Sequence, residues 1–115
     1  MGYYCMMIDV REYVDARGHN HYREWTSKLD PIVRVRVDKA VFRLGDGNFS
    51  AVKPEGKGVS ALRLDFGPGY RVYFANDGRQ LVILLAGGSK RRQQEDIQLS
   101  RRLWTEYKRR KKQEA

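Results

Sequence analysis

The sequence holds a single cysteine, Cys5, so it can form no internal disulfide and no site of four thiolates; a lone thiol fits a reducing compartment. Histidine is nearly as scarce. His19 and His21 stand close together near the start, and no His, Asp or Glu recur at metal-ligand spacing, so neither a metal nor a cofactor is expected. No apolar run approaches the roughly 18 residues of a membrane span, and the N-terminus lacks the basic-then-apolar layout of a secretory signal. Met1-Gly2 opens like a myristoylation signal, but Met6 stands where Ser or Thr is needed. Internal repeats are missing, as is low complexity outside the C-terminal tail. A cytoplasmic protein with no membrane association is the expectation. Acidic residues are the remaining shortage: 14 Asp and Glu face 23 Lys and Arg, for a formal charge of +9. Such a field attracts nucleic acid, and it would serve an acidic protein partner as well.

A chain of 115 residues is one domain, 1–115, with a core expected over about 7–107 and a basic tail over 108–115. Its centre is the stretch 59–88, which has the pattern of three consecutive antiparallel strands. In the first, 59–65, Leu62 and Leu64 share one face and Ala61, Arg63 and Asp65 the other. In the second, 70–75, Tyr70, Val72 and Phe74 are apolar while Arg71 and Tyr73 point the opposite way. Phe66-Gly67-Pro68-Gly69 and Asn76-Asp77-Gly78 are turns by composition. The third strand, 81–85, is apolar throughout, as expected of a strand covered on both faces in the middle of the sheet.

Around this centre the signals are these. A first strand is expected over 5–10, with a continuation over 11–14. Tyr22, Trp25 and Leu29 recur at helical spacing behind Asn20, a good N-cap, giving a short helix that ends at Asp30. Asp30-Pro31 starts a second helix with the stripe Val33, Val37, Ala40, Val41 and Leu44, stopped by Gly45. The alternation over 32–37 also suits a strand; the cap and the later spacing favour helix. A short edge strand is expected over 49–53, then a Gly- and Lys-containing loop over 53–58 that lacks P-loop spacing. A long helix follows from Gln93, burying Ile97, Leu103, Trp104 and Tyr107 and turning Arg101, Arg102 and the 108–112 basic run to water or a partner. The fold class is therefore α+β: two N-terminal helices on a curved, mainly antiparallel sheet of four to five strands, with a C-terminal helix.

If the first two central strands pair, Arg63 and Arg71 emerge on one face with Tyr73 beside them. Like charges repel there, so an anion is the simplest partner; pairing of one arginine with Asp65 is the alternative. Lys90, Arg91 and Arg92 follow the last strand, and ten of the 23 basic residues lie over 90–112.

The succession Gly47-Asn48-Phe49, Val52-Lys53-Pro54, Gly58-Val59, Leu62-Arg63, Gly67-Pro68-Gly69-Tyr70-Arg71-Val72-Tyr73-Phe74, Leu84-Leu85-Ala86-Gly87-Gly88-Ser89-Lys90 and Asp96-Ile97 resembles the RelE/ParE superfamily of bacterial toxins. Its nearest branch is the HigB-like one, often called addiction module killer proteins, and the similarity runs from about Met7 to Tyr107. The resemblance implies a RelE-like fold and a cytoplasmic toxin neutralised by a cognate antitoxin, often a helix-turn-helix DNA-binding protein. It implies an endoribonuclease that cuts messenger RNA on the ribosome and stops translation, or, as in the ParE branch, an inhibitor of DNA gyrase. Arg71 matches the arginine of the family's GYR block, Arg63 the basic residue on the preceding strand, and Lys90 the one after the last strand.

RNA cleavage requires a base for the 2′-hydroxyl, cations for the phosphorane and an acid for the 5′-oxygen. Arg63, Arg71 and Lys90 suit the second task. A lysine, Lys53 or Lys57, is a candidate base, and Tyr73 a candidate for positioning or proton donation; Arg91, Arg92, Lys108, Arg109 and Arg110 are expected to contact RNA phosphates. Asp96 would orient Arg71 or Lys90, or simply favour its helix N-terminus. Where relatives that cut RNA often carry a tyrosine or histidine, residues 91–96 are RRQQED, which keeps open a module that binds RNA, gyrase or antitoxin without cleaving.

Overall fold

A computed structural model of the chain describes residues 8–114; the part of the expected first strand over 5–7, Cys5 included, lies outside them. The described part forms β1, Asp9–Glu12, shorter than its sequence pattern. Two helices follow. In α1, His21–Ser27, the Asn20 side chain accepts from the Arg23 backbone N–H at 2.9 Å. In α2, Pro31–Gly45, Asp30 does the same for Ile32 at 2.9 Å and proline takes the first turn. The alternation over 32–37 is helical in fact. Val33 and Val37 turn toward the sheet while Ile32 and Val35 stay 74% and 52% exposed, as a period of 3.6 requires.

Four more strands complete a mixed five-stranded sheet: β2, Val52–Pro54; β3, Val59–Leu64; β4, Tyr70–Asn76; and β5, Leu81–Ser89, in the order β1-β5-β4-β3-β2. β1 runs parallel to β5 and all other neighbours are antiparallel. The edge strand β2 thus starts later than the 49–53 run. The middle position belongs to β4, with β5 between it and β1, and β5 is covered on both sides along 82–86.

One face of the sheet, built from Leu62, Leu64, Val72, Phe74, Val82 and Leu84, packs on Tyr22, Val37 and Leu44 of the two N-terminal helices. The opposite face corrects an expectation. The row containing Ala61 and Tyr73 is not an open polar surface; it is roofed by α3, Gln93–Glu114, through Ile97, Leu103 and Trp104. Small residues at 61 and 75 leave room for the helix, and burying each large apolar side chain contributes about 1.5–3 kcal/mol. Only the end of the row, where α3 begins after a 3₁₀ turn at Lys90–Arg92, stays basic.

The paired glycines at the end of β5 let both layers close in. A side-chain carbon on Gly87 would collide with the Trp25 ring, and one on Gly88 with the Asp96 carboxylate, on opposite faces. At its far end the described part of the expected basic tail, 108–114, is not loose. Helix persists through Glu114, with Arg110 donating to the Tyr13 hydroxyl at 3.1 Å and the Val14 carbonyl at 2.9 Å, and Lys111 paired with Asp77 at 2.7 Å.

Candidate functional site

The β3–β4 register sets Arg63 directly opposite Arg71, and the β4–β5 register sets Gly88 beyond it, so the three form one row across the sheet. The turn that joins β3 to β4 is stitched to the end of β5. Gly69 donates to the Phe66 carbonyl at 2.9 Å, and Lys90 donates to the Gly69 carbonyl at 2.8 Å. Gly69 has a φ of +77°, which favours glycine, and it also keeps a notch open. A Cβ there would stand 3.5 Å from Cβ of Lys90 and 3.8 Å from a terminal guanidinium nitrogen of Arg71.

Arg71 is the unusual member. It is 9% exposed, yet among the described residues its side chain makes no hydrogen bond and no ion pair. None of its guanidinium nitrogens is among the fully enclosed polar atoms, so the stem is buried while the head stays open at the notch, and an incoming anion would supply the counter-charge it lacks. Arg63 and Lys90 are exposed and likewise have no ion pair among the described residues. Arg91 and Arg92 continue the basic rim around a shallow depression of about 210 Å³ at the start of α3, with Arg92 paired to Glu95 at 2.8 Å.

The other sequence candidates divide. Lys53 lies opposite Ala61 on β2, which makes it the diagonal neighbour of Arg63 at roughly 7–8 Å on the same face. Lys57 does not belong with them. It sits at the tip of the β2–β3 hairpin with a φ of +56°, about 20 Å from Arg63 along an extended strand. Tyr73 is also corrected: its ring is 0% exposed under α3, its hydroxyl is buried without a hydrogen-bond partner, and burial pushes it up to about 12. A phenol so placed is neither a base nor accessible to a polymer. Of the tail cations, Arg110 is committed to Tyr13 and Val14; Lys108 lies over the Trp104 ring, and Arg109 is exposed. His21 pairs with Asp15 at 3.1 Å and His19 packs edge-on against it.

Two residues play parts that local pattern did not disclose. Asp96 makes no hydrogen bond to Arg71 or Lys90. It is 7% exposed against Gly88, its Oδ2 is enclosed without a partner, and burial raises its carboxyl above the ordinary range, opposed by Arg92 and aided by Glu95. The signal available was the Gly87-Gly88 pair, which marks a close approach. Arg101 does not face water as expected: it reaches the Glu55 carbonyl, and Trp104 stands over Gly58, where a Cβ would lie 2.7 Å from the indole nitrogen. The loop over 55–58 is therefore a bracket for α3.

Among the described residues no three His, Cys, Asp or Glu gather as metal ligands, and no helix is long and apolar enough to cross a membrane. No protein-family profile matches the chain. A protein of Haemophilus influenzae, described as uncharacterized, is 40% identical over 83 residues, covering 71% of this chain and 84% of that protein.

Proposed function

The chain belongs to one family with the Haemophilus influenzae protein, and from its site we propose that it is the toxin of a toxin–antitoxin pair, related to the RelE/ParE superfamily and its HigB-like branch. In this reading it is a cytoplasmic, metal-independent endoribonuclease that cuts messenger RNA on the ribosome. Support comes from the residue succession described above, from two N-terminal helices on a largely antiparallel sheet as a RelE-like fold requires, and from the net charge of +9. The observation that carries the reading is Arg71, nine-tenths buried without an anionic partner and flanked by Lys90 and Arg63.

The scissile phosphate belongs in the notch at Gly69, its developing charge held by Arg71 with Arg63 and Lys90 as further cations. Lys53 is the lysine left on this face, and it takes the 2′-hydroxyl proton only as the neutral amine, becoming the ammonium. Asp96 lies on Gly88, the register partner of Arg71, with Oδ1 not enclosed and its pKa raised by burial in the direction a general acid requires, and is the carboxyl for the leaving oxygen. The antitoxin, a helix-turn-helix protein in this reading, has an apolar surface available at Ile32, Val35 and Phe42 along α2, the last 72% exposed.

Induced expression in a bacterial host without antitoxin, with messenger RNA 5′ ends mapped within minutes, tests this. New ends inside coding frames are expected, with Arg71→Ala reducing cleavage about 10²–10³-fold, the range for loss of one preorganised donor. Intact messages with growth arrest would overturn the nuclease reading. A second reading, gyrase inhibition without cleavage, is favoured by the concealed Tyr73 hydroxyl; it calls for DNA damage before translation falls.

A further inference from the structure

A second basic feature lies on the other side of the sheet from α3. Arg36, Lys39 and Arg43 occupy one side of α2 at helical spacing, and with Arg63 they line an open groove of about 420 Å³. No carboxylate lines it, and among the described residues none of the four cations is in an ion pair. Three like charges on one side of α2 without a counter-charge repel one another, so the bare fold gains nothing from their placement. The floor is apolar, including Leu62 and Phe66, and the Arg36 guanidinium rests 4.5 Å over the Phe66 ring, which holds it toward the groove. The volume falls in the range of about 300–1,000 Å³ typical of sites for small ligands, large enough for a nucleotide.

Arg63 joins the two features at the edge of the sheet: it is among the residues lining this groove, while its side chain lies by alternation on the α3 face as the cross-strand partner of Arg71. We infer that the groove is a second phosphate subsite, taken by the RNA strand flanking the segment held at Arg71. Continuity through Arg63 favours one polyanionic strand over both sites rather than an acidic protein, and the apolar floor with its aromatic ring suits sugar and base. The inference rests on the RNA-binding reading given above.

The test is binding of an uncleavable 2′-O-methyl oligoribonucleotide of a dozen residues, measured by fluorescence anisotropy from low to high salt. Three proteins are compared: the full chain, Lys39→Ala/Arg43→Ala, and Arg71→Ala. Lys39 and Arg43 are exposed and unpaired among the described residues, so melting temperature should not move. The double variant is expected to flatten the slope of log affinity against log salt by about 1.4, two phosphate contacts on a single strand, and to weaken low-salt binding at least about tenfold. If the double variant binds like the unaltered protein while Arg71→Ala is weakened, the groove subsite is overturned and the function stands. If the unaltered protein binds no RNA, both are overturned.

Discussion

At the scale of single residues, the site is defined by what burial does to ionisable groups. Arg71 has its stem buried and no partner among the described residues, Tyr73 loses any access to solvent, and Asp96 is pressed against Gly88 with one oxygen enclosed. Desolvation raises the Asp96 pKa, so the folded chain holds that proton more tightly than the unfolded chain does. Stability from this group therefore falls as pH rises from the ordinary carboxylate range through the raised folded value. Asp96→Asn removes the burial of charge: its melting temperature should exceed that of the unaltered protein at pH 8, and the gap should shrink toward pH 4. A variant that melts lower at pH 8 would mean that the ionised carboxylate is a favourable member of the fold. The same substitution should suppress cleavage while leaving RNA affinity intact. Arg71 and its register partner Arg63 were legible from two-residue alternation, whereas the burial of Tyr73 was not. Parity assigns a residue to a face but does not say what covers that face.

Elements show the same division more sharply. Caps and stripes are local, so α1 and α2 follow from Asn20, from Asp30-Pro31 and from the Val37 to Leu44 spacing. The docking of α3 is long-range. Its stripe of Ile97, Leu103 and Trp104 named the buried side of the helix but not the sheet face it would meet, and the arginines at 63 and 71 made that face look polar as a whole. It is apolar under the helix and basic only past the helix start. Four brackets hold α3: Asp96 in the space left by Gly88, Arg101 and Trp104 over the 55–58 loop, Tyr107 and Lys111 on Asp77 of the β4–β5 turn, and Arg110 on Tyr13 and Val14. The Lys111 hydrogen bond, then that of Tyr107, holds the Asp77 carboxyl below its ordinary value. Its contribution is thus complete at neutral pH and fades as pH falls through and below the carboxylate range. With Lys111 60% exposed, Asp77→Asn is expected to cost only about 0.2–1 kcal/mol. The loss should appear in hydrogen exchange as faster exchange in the last turns of α3, with its first turns unchanged.

At the scale of the molecule, charge and shape are arranged around one end of the sheet. There β3 ends, β4 begins and β5 gives way to the 3₁₀ turn, bringing Arg63, Arg71 and Lys90 together from three segments. Composition revealed the +9 charge, but the gathering of those cations depends on strand order, and the α2 groove depends on two elements meeting. Much of the basic C-terminal run serves the fold instead, through Arg110 and Lys111. The central claim is that Arg71 is a built receptor for a phosphate of RNA. Arginine side-chain ¹H–¹⁵N spectra recorded while an uncleavable oligoribonucleotide is titrated in test it most directly. The Arg71 Nε–H signal should shift with saturation, while Arg23, already paired with Glu12, stays in place. An unmoved Arg71 signal in a complex that has formed would contradict the account.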